Sequence, residues 1–382
     1  MENRRIPGNI IRVVAVACDM ITPYGNGIDA CWENIFAGRT AISKLNRFDT
    51  SAFQSEYAAT IEGLEYHRKD SLVVQMLIAL FGKSKGSIPA DAKLIVATTK
   101  GEIDLMEKKI LTGQNDISEN YHAVFLKKVS SIAGTKDKGT IISAACSSAA
   151  AAIARAAAMI KCGKTECALV IACDSVSEFV YSGFSSLMAL DKFTAMPFDK
   201  NRSGLSLGEA AAFVLLMSES RASKENREII GEVLGWGLSD DASHMTGPSR
   251  SSEGLILALR NALSSACAVE EDIGFISAHG TGTVYNDAME MRAFNSVFKD
   301  RKPAYSIKGG IGHTMGAAGL VEMIIAMRAL REGKIPPTVN LKEADTDAEG
   351  WISTRERSIP KNKIALVTNA GFGGINAAVV LG

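Results

Sequence analysis

Cys146 lies in Ile141-Ile142-Ser143-Ala144-Ala145-Cys146-Ser147-Ser148, where a β-branched run gives way at once to an Ala-rich helical pattern. A thiol at the start of a helix faces unpaired N–H groups and the positive end of the dipole. These favour the thiolate by about 0.3–2 kcal/mol and make a nucleophile of it. The plainer alternative is a small buried apolar side chain, the fate of most free cysteines. Two of the five histidines fall in glycine-rich loops. His279 opens His279-Gly280-Thr281-Gly282-Thr283 after an apolar run, and His313 sits in Lys308-Gly309-Gly310-Ile311-Gly312-His313-Thr314-Met315-Gly316 ahead of a helical pattern. Flanking glycines let the backbone approach a ligand closely, and loops at strand ends are where α/β folds keep their sites. A histidine that only caps a turn is the alternative for each. Neither loop forms a G-x-G-x-x-G fingerprint between strand and helix, which argues against a nicotinamide or flavin enzyme. In Thr368-Asn369-Ala370-Gly371-Phe372-Gly373-Gly374-Ile375-Asn376, three glycines surround one Phe, as suits a mobile aromatic or, alternatively, a tight β-turn.

These residues need a frame to hold them. Short β-branched runs at 10–17, 93–97, 139–143, 168–172, 211–217, 273–278, 364–368 and 377–381 alternate with helical stretches. That rhythm predicts an α/β protein with a largely buried sheet. An internal echo points to two similar halves. A strand pattern leads into the Cys146 turn and an Ala-rich helix, and another leads into the His313 turn and a helix from Gly316 to Leu330. Each unit is followed, at nearly the same interval, by a Gly that opens an Ala-rich strand, at Gly208 and at Gly374. The most hydrophilic stretch, 218–228, divides the chain into halves of residues 1–220, carrying the cysteine, and 221–382, carrying both histidines.

Composition removes several classes of function. Of 382 residues 47% are hydrophobic, too many for a disordered chain. The 42 basic and 42 acidic side chains cancel, leaving no electrostatic footprint for nucleic acid. No run is apolar for long enough to span a bilayer; the best, 149–160, is interrupted by Arg155. Seven scattered cysteines do not make a disulfide scaffold, and Cys162, Cys167 and Cys173 lack the spacing and histidine of a zinc site, so no metal is expected. A cytoplasmic protein is expected.

Taken together and in order, Cys146 in its turn, His279-Gly-Thr-Gly-Thr, Lys308 with Gly312-His313, and Gly371-Phe372-Gly373-Gly374 resemble the motifs of the β-ketoacyl-acyl-carrier-protein synthases. These are the condensing enzymes of the thiolase superfamily. The stretches 197–204 and 22–25 fit as well. The resemblance covers nearly the whole chain. It implies a thiolase-like five-layered α/β/α/β/α sandwich of two pseudo-duplicated halves. It also implies a 3-oxoacyl-[acyl-carrier-protein] synthase of fatty-acid or polyene/polyketide biosynthesis. Cys146 would take an acyl chain as a thioester, and His279 and His313 would stabilise the enolate formed as malonyl-carrier protein loses carbon dioxide. Backbone N–H groups of Cys146 and Phe372 would form the oxyanion hole. Phe372 would be the gate, Lys308 and Glu322 a charged pair beside the second histidine, and Thr281 and Thr283 the hydroxyls that hold a pantetheine amide. No bound cofactor is implied, since phosphopantetheine arrives on the acyl-carrier protein, for which Arg68 and Lys69 fall where the family often has a basic landing site. A homodimer is implied, or a heterodimer with a related subunit.

Single residues separate the relatives. A thiolase needs a second catalytic cysteine near the C-terminus, and none follows Cys267; the Cys-His-Asn types lack a histidine at the position of His313. The alternative is a non-catalytic ketosynthase-like subunit paired with a chain-length factor, its cysteine vestigial. Ala370 stands where an aromatic is usual and would reshape the acyl pocket, pointing mildly towards a specialised pathway.

Overall fold

The computed structural model describes residues 11–66, 69–82, 87–113 and 121–382. Ten strands carry the fold: β1 (Val13–Thr22), β2 (Lys93–Ala97), β3 (Thr140–Ile142), β4 (Cys167–Asp174), β5 (Ala210–Ser218), β6 (Gly231–Asp240), β7 (Ile273–Ser277), β8 (Ala304–Tyr305), β9 (Ile364–Gly371) and β10 (Ile375–Leu381). The helices that position the core and the site are α1 (Leu72–Phe81), α2 (Tyr121–Ala133), α3 (Ser148–Lys161), α4 (Glu178–Ser186), α5 (Glu253–Ser265), α6 (Val284–Val297) and α7 (Ala318–Glu332).

The first five strands run in the order β3-β2-β4-β5-β1 and the last five in the order β8-β7-β9-β10-β6. In each set the first three strands are mutually parallel and the next two steps antiparallel. The two sets therefore share one topology and one chain order. They meet along β1 and β6 through only two residue pairs, Val14 with Glu232 and Ala15 with Gly231.

Alternation along β5 shows how the layers form. Ala210, Ala212, Val214 and Leu216 enter a central core with α3 and α7. Ala211, Phe213, Leu215 and Met217 face outwards against α1 and Phe125 and Val129 of α2. A strand covered on both faces has to be apolar throughout, which is why it reads as a continuous hydrophobic run. The second sheet repeats this: Val367 and Val379 point to the centre, while Leu366 and Val380 pack under α5 and α6. The five-layered sandwich implied by the resemblance is the observed architecture. Its middle layer is tight because its side chains are small: a Cβ on Gly319 of α7 would lie 3.1 Å from the Ala150 nitrogen of α3.

Three expectations shift. The first strand begins at Val13 and extends to Thr22 rather than covering 10–17, because it pairs with β5 as far as Ile21 opposite Ala211, with a bulge between Ala15 and Ala17; Ile10 lies outside the described residues. Strand β6 was not expected at all. Its glycines weaken the strand pattern, yet the fold requires them, since a Cβ at Gly235 or Gly237 would strike carbonyl oxygens of α5, that of Ala262 at 2.7 Å and that of Ala258 at 2.0 Å. The echo is also displaced by three residues. Ala145 and Met315 are both left-handed, at φ 48° and 51°, two residues before the caps Ser147 and Ala317, so the true counterpart of Cys146 is Gly316 and not His313.

Candidate active site

The Cys146 turn is built from short-range bonds and then tied to the other half. After β3 the chain passes through left-handed Ala145 into α3. Ser148 Oγ accepts from the Ala144 N–H at 2.8 Å and donates to the Ala145 carbonyl at 2.6 Å. Ser147 Oγ donates to the Ile375 carbonyl of β10 at 3.0 Å. Cys146 is left buried in the lining of a cavity of about 370 Å³.

His279 leaves β7 in a loop held by two acids of α6. Glu290 accepts from the backbone N–H groups of His279 and Gly280 at 2.8 and 2.7 Å, and from Thr368 Oγ1 of β9 at 3.1 Å. Asp287 accepts from the Thr281 N–H at 3.0 Å and the Phe198 N–H at 2.7 Å. His313 is placed from the first half: its N–H donates to the Ser206 carbonyl at 2.7 Å. Gly312 before it has φ 69°, and a Cβ there would lie 2.5 Å from the Leu207 carbonyl oxygen, so only glycine fits. Asp174 at the end of β4 joins the halves again, accepting from Thr98 Oγ1 at 2.8 Å and from the Gly316 N–H at 2.7 Å.

These loops bring the Cys146 sulfur and a ring nitrogen of each histidine within 4.8 Å of one another. The imidazole centroids are 5.1 Å apart and nearly perpendicular, at 83°. Their tautomers follow from their neighbours. The Met315 N–H donates to Nδ1 of His313 at 3.3 Å, so the proton sits on Nε2, which donates to the Cys146 sulfur at 3.0 Å. Nδ1 of His279 faces the Lys308 ammonium at 3.2 Å, and an ammonium can only donate; the His279 proton is therefore also on Nε2. Lys308 is held in place by the His279 carbonyl and by Glu322, whose other oxygen accepts from Asn369 Nδ2 at 2.7 Å.

Burial sets the charges. It holds both imidazoles well below their usual range, with the Lys308 charge adding to the effect, so both rings are neutral donors. Burial also pushes the Cys146 thiol up to about 11, partly offset by Lys308, Lys100 and the Phe372 N–H. The helix terminus on its own does not yield a resting thiolate, contrary to the sequence expectation: desolvation outweighs it. Burial raises the Glu322 carboxyl too, against the pull of Lys308.

The remaining expected residues fall as follows. Thr281, Thr283, Ala370 and Phe372 all line the cavity. The Thr281 and Thr283 hydroxyls are 3.0 Å apart, and that of Thr283 also caps α6. Phe372 stacks on Phe184 of α4 with centroids 5.6 Å apart and an interplanar angle of 29°. Its loop is latched by the Gly373 N–H, which donates to the Met245 carbonyl at 2.7 Å. Lys69 is exposed and does not line the cavity, and Arg68 lies outside the described residues. Sequence reasoning missed Asp174, Asp287, Glu290 and Asn369. Only Asp287 and Glu290 left a signal, as two acids three apart just after a His-Gly-Thr-Gly-Thr loop.

A fold of two equivalent sheets with one cysteine and two neutral imidazoles in a shared cavity defines a thiolase-like condensing site, and the comparisons agree. The model of the β-ketoacyl synthase N-terminal domain matches residues 11–85 and 94–222, and that of the β-ketoacyl synthase C-terminal domain matches 230–342. The chain belongs to the β-ketoacyl synthase family of condensing acyltransferases. It is 28% identical to 3-oxoacyl-[acyl-carrier-protein] synthase 2 of Coxiella burnetii (strain RSA 493 / Nine Mile phase I), over 97% of this chain and 98% of that one. It is 33% identical to nodulation protein E of Rhizobium sp. (strain N33), over 96% and 98%. Among solved structures, the ishigamide ketosynthase/chain length factor superposes with a TM-score of 0.86 at 28% identity, covering 97% of this chain and 99% of that one. Among the described residues no helix is long and apolar enough to cross a membrane.

Proposed function

We propose that the chain is an elongating 3-oxoacyl-[acyl-carrier-protein] synthase. An acyl group moves from its carrier thioester to Cys146 Sγ, and the sulfur's proton leaves with the carrier thiol. Malonyl-carrier protein then enters with its thioester carbonyl against the Nε2–H groups of His279 and His313. Loss of carbon dioxide leaves an enolate whose oxygen both groups stabilise. Its carbon attacks the acyl-cysteine, the C–S bond breaks, and Cys146 recovers a proton. Two neutral donors suit this step, because they meet developing negative charge without first burying a charge of their own. The Phe372 and Cys146 N–H groups receive the second oxyanion, on the acyl-cysteine carbon, each such donor being worth about 2.7–4 kcal/mol in comparable sites.

The observation that carries this reading is the convergence of the sulfur and both imidazole nitrogens within 4.8 Å. The hydroxyls of Thr281 and Thr283 on the cavity wall suit the amides of a phosphopantetheine arm. That arm presents the thioesters and is brought by the carrier protein, with Lys69 and Arg68 as the proposed contacts. Ala370 leaves room beside Phe372 for an acyl chain. The enzyme works in the cytoplasm as a homodimer, or beside a related chain as the likeness to a ketosynthase/chain length factor suggests. The test supplies purified protein with acyl- and malonyl-carrier protein. Release of carbon dioxide with a product two carbons longer supports the proposal, and its formation without a second chain eliminates the non-catalytic alternative. Thioester hydrolysis without carbon dioxide would overturn the reading.

A further inference from the structure

Cys146, His279 and His313 offer donors of the type and number that hold zinc in tetrahedral sites with one open position. Ligands of one zinc ion, each about 2.0–2.3 Å from it, lie within about 4 Å of one another, close to the spread observed here. Among the described residues no other group of histidine, cysteine and acid side chains has such spacing. The neighbours of the two rings, however, point the opposite way. A neutral imidazole binds a metal through the lone pair of one nitrogen and must then carry its proton on the other. In zinc sites that N–H is given to a carboxylate, a carbonyl or water. Here the outer nitrogens meet donors instead: Nδ1 of His279 faces Lys308 Nζ at 3.2 Å, and Nδ1 of His313 faces the Met315 N–H at 3.3 Å.

Neither donor is free to yield. Lys308 is also bound to Glu322 and to the His279 carbonyl. The Met315 N–H belongs to a left-handed residue in a turn that Asp174 holds through the next N–H, that of Gly316. Ligation of a metal by either ring would set an N–H against an N–H inside a buried site.

We propose that Lys308 and the Met315 N–H form a tautomer lock that excludes thiophilic divalent cations such as zinc from a cluster otherwise spaced to bind them. Lys308 is then a positioning residue: it selects hydrogen-bond donation by His279 over metal ligation. The inference does not depend on the substrate or on the condensation, because its test reads metal binding.

The full chain is titrated with cobalt(II), whose absorption reports thiolate ligation, and zinc is scored by protection of Cys146 from iodoacetamide. Native protein is expected to show neither effect at micromolar metal. Lys308→Met combined with Glu322→Gln, which removes the ammonium together with its buried counter-charge, is expected to gain at least ~10-fold in cobalt affinity. That gain should vanish on adding Cys146→Ser. Native protein that ligates cobalt through Cys146 as tightly as the variant would overturn the proposal, as would a folded variant with no gain. Should the variant fail to fold, nitrogen-15 histidine spectra of the native chain decide: both buried rings must be Nε2–H, and an Nδ1–H signal from either ring refutes the lock.

Discussion

The turn before α3 and the turn before α7 occupy equivalent places in the two halves, each with a left-handed residue two positions ahead of the helix cap. They differ at the next residue. The first half carries Cys146 there and the second carries Gly316, where a Cβ would come within 2.7 Å of Asp174 Oδ2. One scaffold thus presents a thiol to the cavity in one copy and a packing point in the other. Both imidazoles come from the second half, one just before its turn and one from the loop after β7. The lesson is that one repeated topology supplies the backbone of both turns, while their difference comes from side-chain size at one position and from polar contacts crossing between halves, such as those of Asp174.

Four experiments test that contrast. Cys146→Ala is expected to lower condensation by ~10⁴-fold or more while malonyl decarboxylation persists, because both proposed enolate donors lie in the second half. Equal loss of both activities, measured by carbon dioxide release, would refute the division. His279→Ala or His313→Ala should each slow decarboxylation by roughly 10²- to 10³-fold, the usual loss for one oxyanion donor, whereas a single histidine carrying the whole effect would break the pairing. Gly316→Ala should destabilise the fold by about 1–3 kcal/mol through overpacking against Asp174, read as a lower urea midpoint; an unchanged midpoint would mean the turn can relax. The smallest effect concerns Glu290, whose carboxyl burial raises to about 7 from an unfolded value near ~4.3. The folded chain holds that proton more tightly, so this group's stabilising contribution is complete below ~4.3 and is lost as pH rises through about 7. Glu290→Gln should flatten that part of the melting-temperature profile, and parallel profiles for the two proteins would contradict the assignment.

Much of the frame was legible because buried strands in this fold have no choice of residue. The run at 211–217 must be apolar on both faces, and Cys167 and Cys173, six apart on β4, share one outward-facing packed surface, as an even spacing on a strand requires. Strand β6 was illegible for the converse reason: its glycines answer to the backbone of α5, a neighbour that no local pattern reveals. At the site, His279 and His313 stood out through the glycines around them. Asn369 and Asp174 did not, since a single polar residue at the end of an apolar strand looks like any other until its partners are in place.

From the order of residues alone came the cysteine and the two imidazoles that share the cavity, the repeated strand-and-turn pattern and the family they resemble, all of which depend on residue types and their spacing. Protonation was decided elsewhere. Which nitrogen of each ring holds its proton depends on Lys308 Nζ and the Met315 N–H, and the thiol resting near 11 depends on how completely Cys146 is desolvated. Those are properties of distance and burial between segments far apart in the chain, so they exist only once the two halves have closed around one cavity.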